Sequence, residues 1–239
     1  EEAGGSSGGR LWWHTANSLM LAAGAAAIAV FVALLLAYGV RLNPHPVARG
    51  AARIAGLGYA VPGSVIAVGV LVPLAWVDNT LDSWLRASFG VSSGLLLSGT
   101  ITALMFAYVV RFLAVSLNTV DASLAKVTPA MDGVARTLGM GPAATVARVH
   151  VPIISPSLLT AGLLVFVDVM KELPATLILR PFDFNTLAVR AFELASDEQL
   201  RAAAAPALAI VAAGLIPVAL LSLAISRARP GRAQGEVRV

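Results

Sequence analysis

The 239-residue chain contains no cysteine, and only 13% of its residues are charged. The lack of cysteine excludes a disulfide framework, thiol catalysis and a cysteine-ligated metal. The sequence also lacks G-x-x-x-x-G-K-[ST], which excludes a P-loop, so any ATP hydrolysis must occur on a partner. The histidines His14, His45 and His150 lie in different segments without the spacing of a metal site, and we predict His150 to be a surface residue.

The chain is instead rich in apolar residues, which make up 58% of it and give a mean hydropathy of +0.82. Soluble domains carry about a quarter charged residues, whereas runs of roughly 20 apolar residues are typical of membrane-spanning helices. The composition therefore predicts an all-α polytopic transmembrane helical bundle in contact with membrane lipid, with about five spans in this chain. The expected spans are 17–40, 54–77, 94–115, 157–179 and 203–226.

Basic residues are unevenly distributed among the connections between these spans. Eleven lie in one set of connections and five in the other, with Lys171 inside a span. We count Arg111 with the first set, at the end of the third span. The positive-inside rule places that set, which includes 41–53, 116–156 and the C-terminus, in the cytoplasm. Because the basic residues do not form one patch, no nucleic-acid partner is expected.

Five spans and a cytoplasmic C-terminus place the N-terminus outside. The start at Glu1 without Met, and without a signal-like segment, favours a fragment that lacks at least one upstream span. We expect residues 1–16 to be an extracytoplasmic linker and interfacial segment, with a flexible Gly/Ser-rich start at 1–10. Residues 17–228 form the transmembrane domain, which includes the loop 116–156, and residues 229–239 form a cytoplasmic basic tail.

The polar loop before the fourth span contains strong signals for the starts and ends of helices. Thr128 and Pro129 are typical of a helix start, and Gly139 is typical of a helix end. Pro142 predicts a second short helix that ends before Pro152, after which Ser155-Pro156 would open the fourth span. The sequence therefore predicts a helical elbow, residues 129–152, outside the membrane. Such an elbow can insert into a groove on a partner, although an ordinary surface loop remains an alternative.

The elbow resembles the coupling loop of binding-protein-dependent ABC importer permeases. Their pattern is Glu-Ala-Ala, three residues, Gly, nine residues, then Ile-x-Leu-Pro. Gly133 and Val134 stand where Glu and the first Ala would be, so Asp132 is the candidate replacement for the acidic contact. The elbow residues that we assign to contact with an ATPase are Asp132, Ala135, Gly139, Val149, Val151 and Pro152.

Other strings resemble the iron(III)-type subfamily: Tyr59-Ala-Val-Pro-Gly-Ser, Lys171-Glu-Leu-Pro-Ala-Thr and Leu179-Arg-Pro-Phe-Asp-Phe. The resemblance covers about residues 11–228 and is to the C-terminal half of a permease built from two fused halves. It implies a type I ABC importer permease fold in a multi-pass protein of the bacterial inner membrane. It also implies a transport subunit rather than an enzyme, without a cofactor of its own because ATP binds the partner.

The implied partners are ABC ATPase subunits, a periplasmic substrate-binding protein and a second permease half, either fused upstream or separate. The implied cargo is ferric iron. Sulfate, thiamine and polyamine permeases share the fold and remain alternatives, as does a secondary transporter that needs no ATPase, which broken helices and buried charges would suit. An intramembrane enzyme is the weakest alternative, because Leu96 stands where the first Gly of a G-x-S-G turn before Ser98-Gly99 should be.

The fourth predicted span carries charges where charges are costly. Asp168 precedes Lys171 by three residues and Glu172 by four, so all three can meet on one side of a helix, and Pro174 predicts a kink. We consider three roles for this group: oxygen contacts to a cation on a translocation path, an electrostatic gate, or an internal ion pair that locks the helix to a neighbour. No metal ligand is assigned.

Overall fold

Residues 7–228 are described by a computed structural model and are helical, without a β-strand in that range. Five helical segments within it are long and apolar enough to span a membrane, which confirms the all-α polytopic prediction. A 3₁₀ turn at Gly58–Ala60 and a π-helical turn at Val146–His150 complete the pattern. The helices are α1 Ser7–Leu42, α2 Pro46–Ala55, α3 Gly63–Phe89, α4 Ile101–Leu124, α5 Pro129–Thr137, α6 Pro142–Thr145, α7 Val151–Met170, α8 Pro174–Leu179, α9 Leu187–Ser196 and α10 Leu200–Ala228.

The first span begins earlier than predicted. Residues 7–16, expected as part of a linker and interfacial segment, are the first turns of α1. Trp12 and Trp13 are exposed there, as an interfacial position requires. The rest of the predicted linker, residues 1–6, and the predicted tail, residues 229–239, lie outside the described residues.

Helices α1, α4 and α7 pack against one another at the centre of the bundle. On α1 the packed face is a row of fully buried alanines, Ala22, Ala25, Ala29 and Ala33. Their three- and four-residue spacing keeps them on one side of the helix, and their small size lets the backbones approach closely. In this way α1 can pack against α4 and α7 along its length.

Two of the spans are broken inside the bundle. The second is interrupted by Val61 and Pro62, because Pro62 caps α3 and separates it from the 3₁₀ turn. The fourth was predicted as one kinked helix over 157–179, but α7 ends at Met170 and a separate helix, α8, begins at Pro174. The Glu172 carbonyl exposed by this break accepts a hydrogen bond from Thr176 Oγ1 at 2.6 Å, which satisfies it without water.

The elbow end of the fourth span also differs from its prediction. The second elbow helix does not end before Pro152; instead α6, the π turn and α7 follow one another without a gap. Pro152 is tolerated because it lies in the first turn of α7. Pro156 lacks the N–H that would bond to the Pro152 carbonyl, and Ser155 Oγ donates to that carbonyl at 3.0 Å instead.

Candidate functional site

The elbow has the predicted two-helix geometry. Helix α5 begins at Pro129, and the chain reverses at Gly139, whose φ of +77° is the left-handed conformation that favours glycine. The Met140 N–H donates to the Ala135 carbonyl at 2.9 Å and closes the turn. Gly139 therefore sets the angle between α5 and the helix that starts at Pro142.

Asp132 points into the protein, unlike the surface contact expected of it. One of its oxygens accepts from Arg41 Nη2 at 2.8 Å, and the other lies 2.6 Å from Nε2 of His150. Its side chain is only 18% exposed. Burial alone would raise the pKa of Asp132, but the hydrogen bonds from Arg41 and His150 outweigh it and hold the pKa below its usual value. The carboxylate is therefore ionised and occupied within the chain.

The two partners of Asp132 come from the membrane helices. Arg41, near the end of α1, also donates to the Leu124 carbonyl and the Val127 carbonyl, both at 2.7 Å, just where α4 ends. His150, in the π turn, is 0% exposed, so the prediction of a surface histidine is wrong. Its ring meets that of Tyr38 edge-on at 5.2 Å between centroids. Sequence reasoning missed the Arg41–Asp132 pair because 91 residues separate its two members.

An apolar groove of about 320 Å³ opens on the outer face of the elbow. Met131 and Val134 on α5 and Leu138 at its C-terminal cap are exposed along it, and their i, i+3, i+7 spacing was a sequence signal for such a face. Ala135 is buried beneath the groove, and Val149 lines its far wall.

The remaining predicted elbow residues are not part of the groove lining. Gly139 is exposed at the turn, Val151 begins α7 half-buried, and Pro152 is exposed on the next position. Of the six residues assigned to contact, Ala135 and Val149 line the groove, whereas Asp132 anchors α5 from inside the protein. The groove residues of α5 other than Ala135 were not singled out from the sequence.

The charges of the fourth span do not form one cluster. Lys171 Nζ lies 2.9 Å from Asp168 Oδ1, whereas Glu172 turns away and pairs with Arg111 on α4, with Nε and Oε2 3.3 Å apart. Glu172 is 7% exposed, and its second oxygen accepts from the Ala175 N–H at the start of α8. Within the described chain, Glu172 therefore pairs with a neighbouring helix, as the third of the considered roles requires.

Arg111 is the residue that the sequence analysis assigned to the wrong region. It lies inside α4, about 15 Å from the Ile101 end and about 20 Å from the Leu124 end at 1.5 Å per residue. Its Nη1 donates to the Val61 carbonyl at 3.0 Å, in the break of the second span. The signal that could have found it is a lone arginine between apolar residues of a predicted span.

The two helix breaks therefore meet at the Arg111–Glu172 pair. Gly63, the first residue of α3, packs so closely there that a Cβ would run into Glu172 Oε1 and come within 2.8 Å of Arg111 Nη1. Pro174, the predicted kink, starts α8 on the other side of the pair. Glycine at position 63 leaves room for this pair, which a larger residue would displace.

Lys171 is 63% exposed on the surface of the described chain, at the same depth as this pair. An ammonium group at that depth is costly in lipid, so charged residues of membrane spans face protein or water. Tyr59 is exposed on the same face. This face, the polar membrane face, is therefore a surface that another protein surface or water covers.

At the end of the bundle opposite the elbow, the segment 180–202 contains helix α9. Glu193 accepts from Arg180 at 3.2 Å and from Arg190 at 3.4 Å, so part of its acidic character is neutralised locally. The start of α9 is held by α1, because the Leu187 N–H donates to Ser18 Oγ at 2.8 Å.

No protein-family model matches the chain. It is 32% identical over 169 residues to the Fe(3+)-transport system permease protein FbpB 2 of Haemophilus influenzae, covering 71% of this chain and 30% of that protein. It is 26% identical over 160 residues to the putative 2-aminoethylphosphonate transport system permease protein PhnV of Salmonella typhimurium, covering 67% of this chain and 54% of that one. The chain thus spans less than two thirds of either relative.

The fold matches a solved bacterial ABC transporter involved in the import of the acidic polysaccharide alginate. The TM-score is 0.64 at 15% identity, over 90% of this chain and 77% of that one. Together with the sequence relatives, this fold makes the chain a multi-pass membrane protein of the ABC importer permease class. Its sequence relatives are transport permeases rather than enzymes, and the resemblance to the iron(III)-type permeases is confirmed.

Proposed function

We propose that this chain is the transmembrane permease unit of an ABC importer, which receives cargo from a periplasmic binding protein. ATP binds and is hydrolysed on separate ATPase subunits. The observation that carries the proposal is the apolar groove of the elbow, which is open to a partner while the helix beneath it is anchored to α1 through Asp132. Apolar surface of this kind, rimmed by polar residues, is typical of protein interaction sites.

In this proposal the ATPase subunit inserts an apolar segment into the groove. Ala135 supports the floor, Gly139 sets the angle of the two elbow helices, and Val149 completes the wall. ATP binding favours one arrangement of the ATPase subunits over another, and the elbow conveys that difference to the spans. The two states of the permease are then populated according to the nucleotide bound to its partner.

The polar membrane face supports a second permease half as a further partner, either upstream in the same polypeptide or separate. That half would cover Lys171 and leave the Asp168–Lys171 pair beside a translocation path. The test is transport by a variant with Asp168→Asn and Glu172→Gln. Normal transport by a correctly assembled variant would exclude these carboxylates from the path.

We propose ferric iron as the cargo, on the basis of the relationship to the Fe(3+)-transport permease of H. influenzae. A phosphonate is the second candidate, because the Lys171 ammonium, although paired with Asp168, remains 63% exposed. An ammonium favours an anionic oxygen, as in the 2-aminoethylphosphonate named for the second relative.

The topology proposal keeps the elbow and the C-terminus in the cytoplasm. It is supported by the basic residues Arg41, Arg136 and Arg148, which lie at the elbow end of the bundle. A reporter enzyme that is active only in the periplasm, fused after the last residue, tests it. Activity of that fusion would reverse the topology and place the elbow on the wrong side for an ATPase.

The decisive experiment is ATP hydrolysis by the reconstituted complex in liposomes, with binding protein that is empty, loaded with ferric ion or loaded with 2-aminoethylphosphonate. Stimulation by the ferric form supports both the class and the cargo. Stimulation by the phosphonate form alone replaces the cargo and keeps the class. If no ATPase associates with the chain, a secondary transporter becomes the better explanation.

A further inference from the structure

We infer that Asp132 is the joint through which movement of the elbow reaches the central membrane helices. The joint consists of Asp132, Arg41 and His150, and the inference rests on the proposed coupling to an ATPase. It assigns to these side chains a positioning role in transport rather than contact with cargo or nucleotide.

The first argument is connectivity. Asp132 belongs to α5, Arg41 to α1, and His150 to the π turn that leads into α7. Arg41 also holds two carbonyls at the end of α4, those of Leu124 and Val127. One carboxylate is therefore linked within two hydrogen bonds to α1, α4 and α7, the three helices that pack together at the centre of the bundle.

The second argument is that few other hydrogen bonds fix the orientation of α5. Among the described residues, the side-chain hydrogen bonds from α5 to other helices all end on Asp132. The other hydrogen bond across this region joins Tyr38 Oη to the Pro142 carbonyl of α6 at 3.3 Å. Apolar contacts alone are non-directional, whereas charge-assisted hydrogen bonds on both carboxylate oxygens fix the orientation of α5.

The third argument is the position of His150. It lies in a π-helical turn, a rare departure from regular helix that occurs often at functional sites. The looser turn is where the helix from α6 to α7 would bend most easily. Asp132 and the Tyr38 ring hold the imidazole on two sides, so the joint braces this turn against bending.

The imidazole also shows which chemistry the joint needs. Nδ1 of His150 is buried and has no hydrogen-bond partner among the described residues, while Nε2 faces the carboxylate. Nε2 must carry a proton in this arrangement, because the Asp132 carboxylate can only accept a hydrogen bond. A glutamine amide could donate from a similar position, whereas leucine could not.

The experiment uses the complete complex, with ATPase subunits and ferric-loaded binding protein, in liposomes. Uptake of iron and hydrolysis of ATP are measured together for Asp132→Asn and for the matched control Asp121→Asn, an exposed aspartate on α4. We expect Asp132→Asn to keep ATPase association and hydrolysis but to lower uptake per ATP about tenfold. The control should retain the wild-type ratio.

His150 supplies a test by conservative rescue. His150→Gln should keep most of the uptake per ATP, and His150→Leu should lose it to the same extent as Asp132→Asn. Equal loss in both variants would indicate that the ring shape, and not its hydrogen bond, matters, and would overturn the joint.

A second measurement does not depend on the cargo. The chain has no cysteine, so spin labels can be attached through Ala122→Cys on α4 and Arg136→Cys on α5, both exposed. With Asp132 intact, the distance between the labels should stay the same when ATP is added to the complex. With Asp132→Asn it should change or broaden.

The outcomes separate the joint from the proposed function. An unchanged uptake ratio and an unchanged label distance in Asp132→Asn would overturn the joint and leave the importer intact. Loss of ATPase association in that variant alone would also overturn it, because Asp132 would then serve docking. Failure of the unsubstituted chain to associate with an ATPase would overturn the proposed function itself.

Discussion

The Arg111–Glu172 pair allows a prediction of magnitude. Glu172→Gln preserves an oxygen that can accept from the Ala175 N–H, but it removes the negative charge 3.3 Å from the Arg111 guanidinium. Removing one partner of a buried ion pair costs about 3–5 kcal/mol, because the other charge stays buried. Arg111 is 19% exposed, so we expect the lower end, about 3 kcal/mol.

The assay is thermal unfolding of the purified complex in detergent, followed by the loss of monodisperse protein. For a chain of this length, about 2–4 °C per kcal/mol gives a decrease in the unfolding temperature of about 6–12 °C. Arg86→Gln is the matched control. It removes the Arg86–Asp82 pair, whose arginine is largely exposed, and such pairs contribute less than about 1 kcal/mol.

The double variant Arg111→Met with Glu172→Met separates an ion pair from simple packing. Replacement of both charges by apolar side chains leaves no unpaired charge, so much of the stability should return. If the effects of the two single substitutions add up in the double variant, or if Glu172→Gln unfolds at the wild-type temperature, the electrostatic reasoning is refuted.

Three further predictions concern the elbow and the polar membrane face. Gly139→Val places a β-branched residue at φ +77°, so ATP hydrolysis should become uncoupled from uptake while membrane insertion persists; normal uptake per ATP would contradict this. Leu138→Asp should weaken co-purification of the ATPase by charging the groove, whereas Ala143→Asp, exposed on α6 outside the groove, should not. Lys171→Met should reduce uptake of a phosphonate more than uptake of iron, and equal transport rates in the variant and wild type would remove Lys171 from the path.

The sequence predicted those features that depend on neighbouring residues. Pro129 and Gly139 bounded α5 because proline at a helix start and glycine at its end act locally, and hydropathy located the five spans. The boundaries of the helices were predicted less accurately. The apolar run continues through the helix break, so residues 157–179 were predicted as one helix although the helix ends at Met170.

Features that depend on distant residues were not predictable from the pattern. The direction of Asp132 is set by an arginine 91 residues away, and Glu172 pairs with a residue on another span. Spacing of three and four residues would place Asp168, Lys171 and Glu172 on one face of a continuous helix. However, α7 ends at Met170, so the Glu172 side chain can turn toward α4 instead. Helical periodicity applies only while the helix continues.

The continuity of α6, the π turn and α7 gives the fourth span the mechanics of a lever. From Pro142 to Met170 it contains 29 residues, which corresponds to a rod of about 43 Å at 1.5 Å per residue. A rotation of about 5° at the elbow end would move the far end by about 4 Å, by the geometry of a helix of that length. The far end is the break beside Glu172, so a small rotation at the elbow would become a displacement of about 4 Å deep in the bundle.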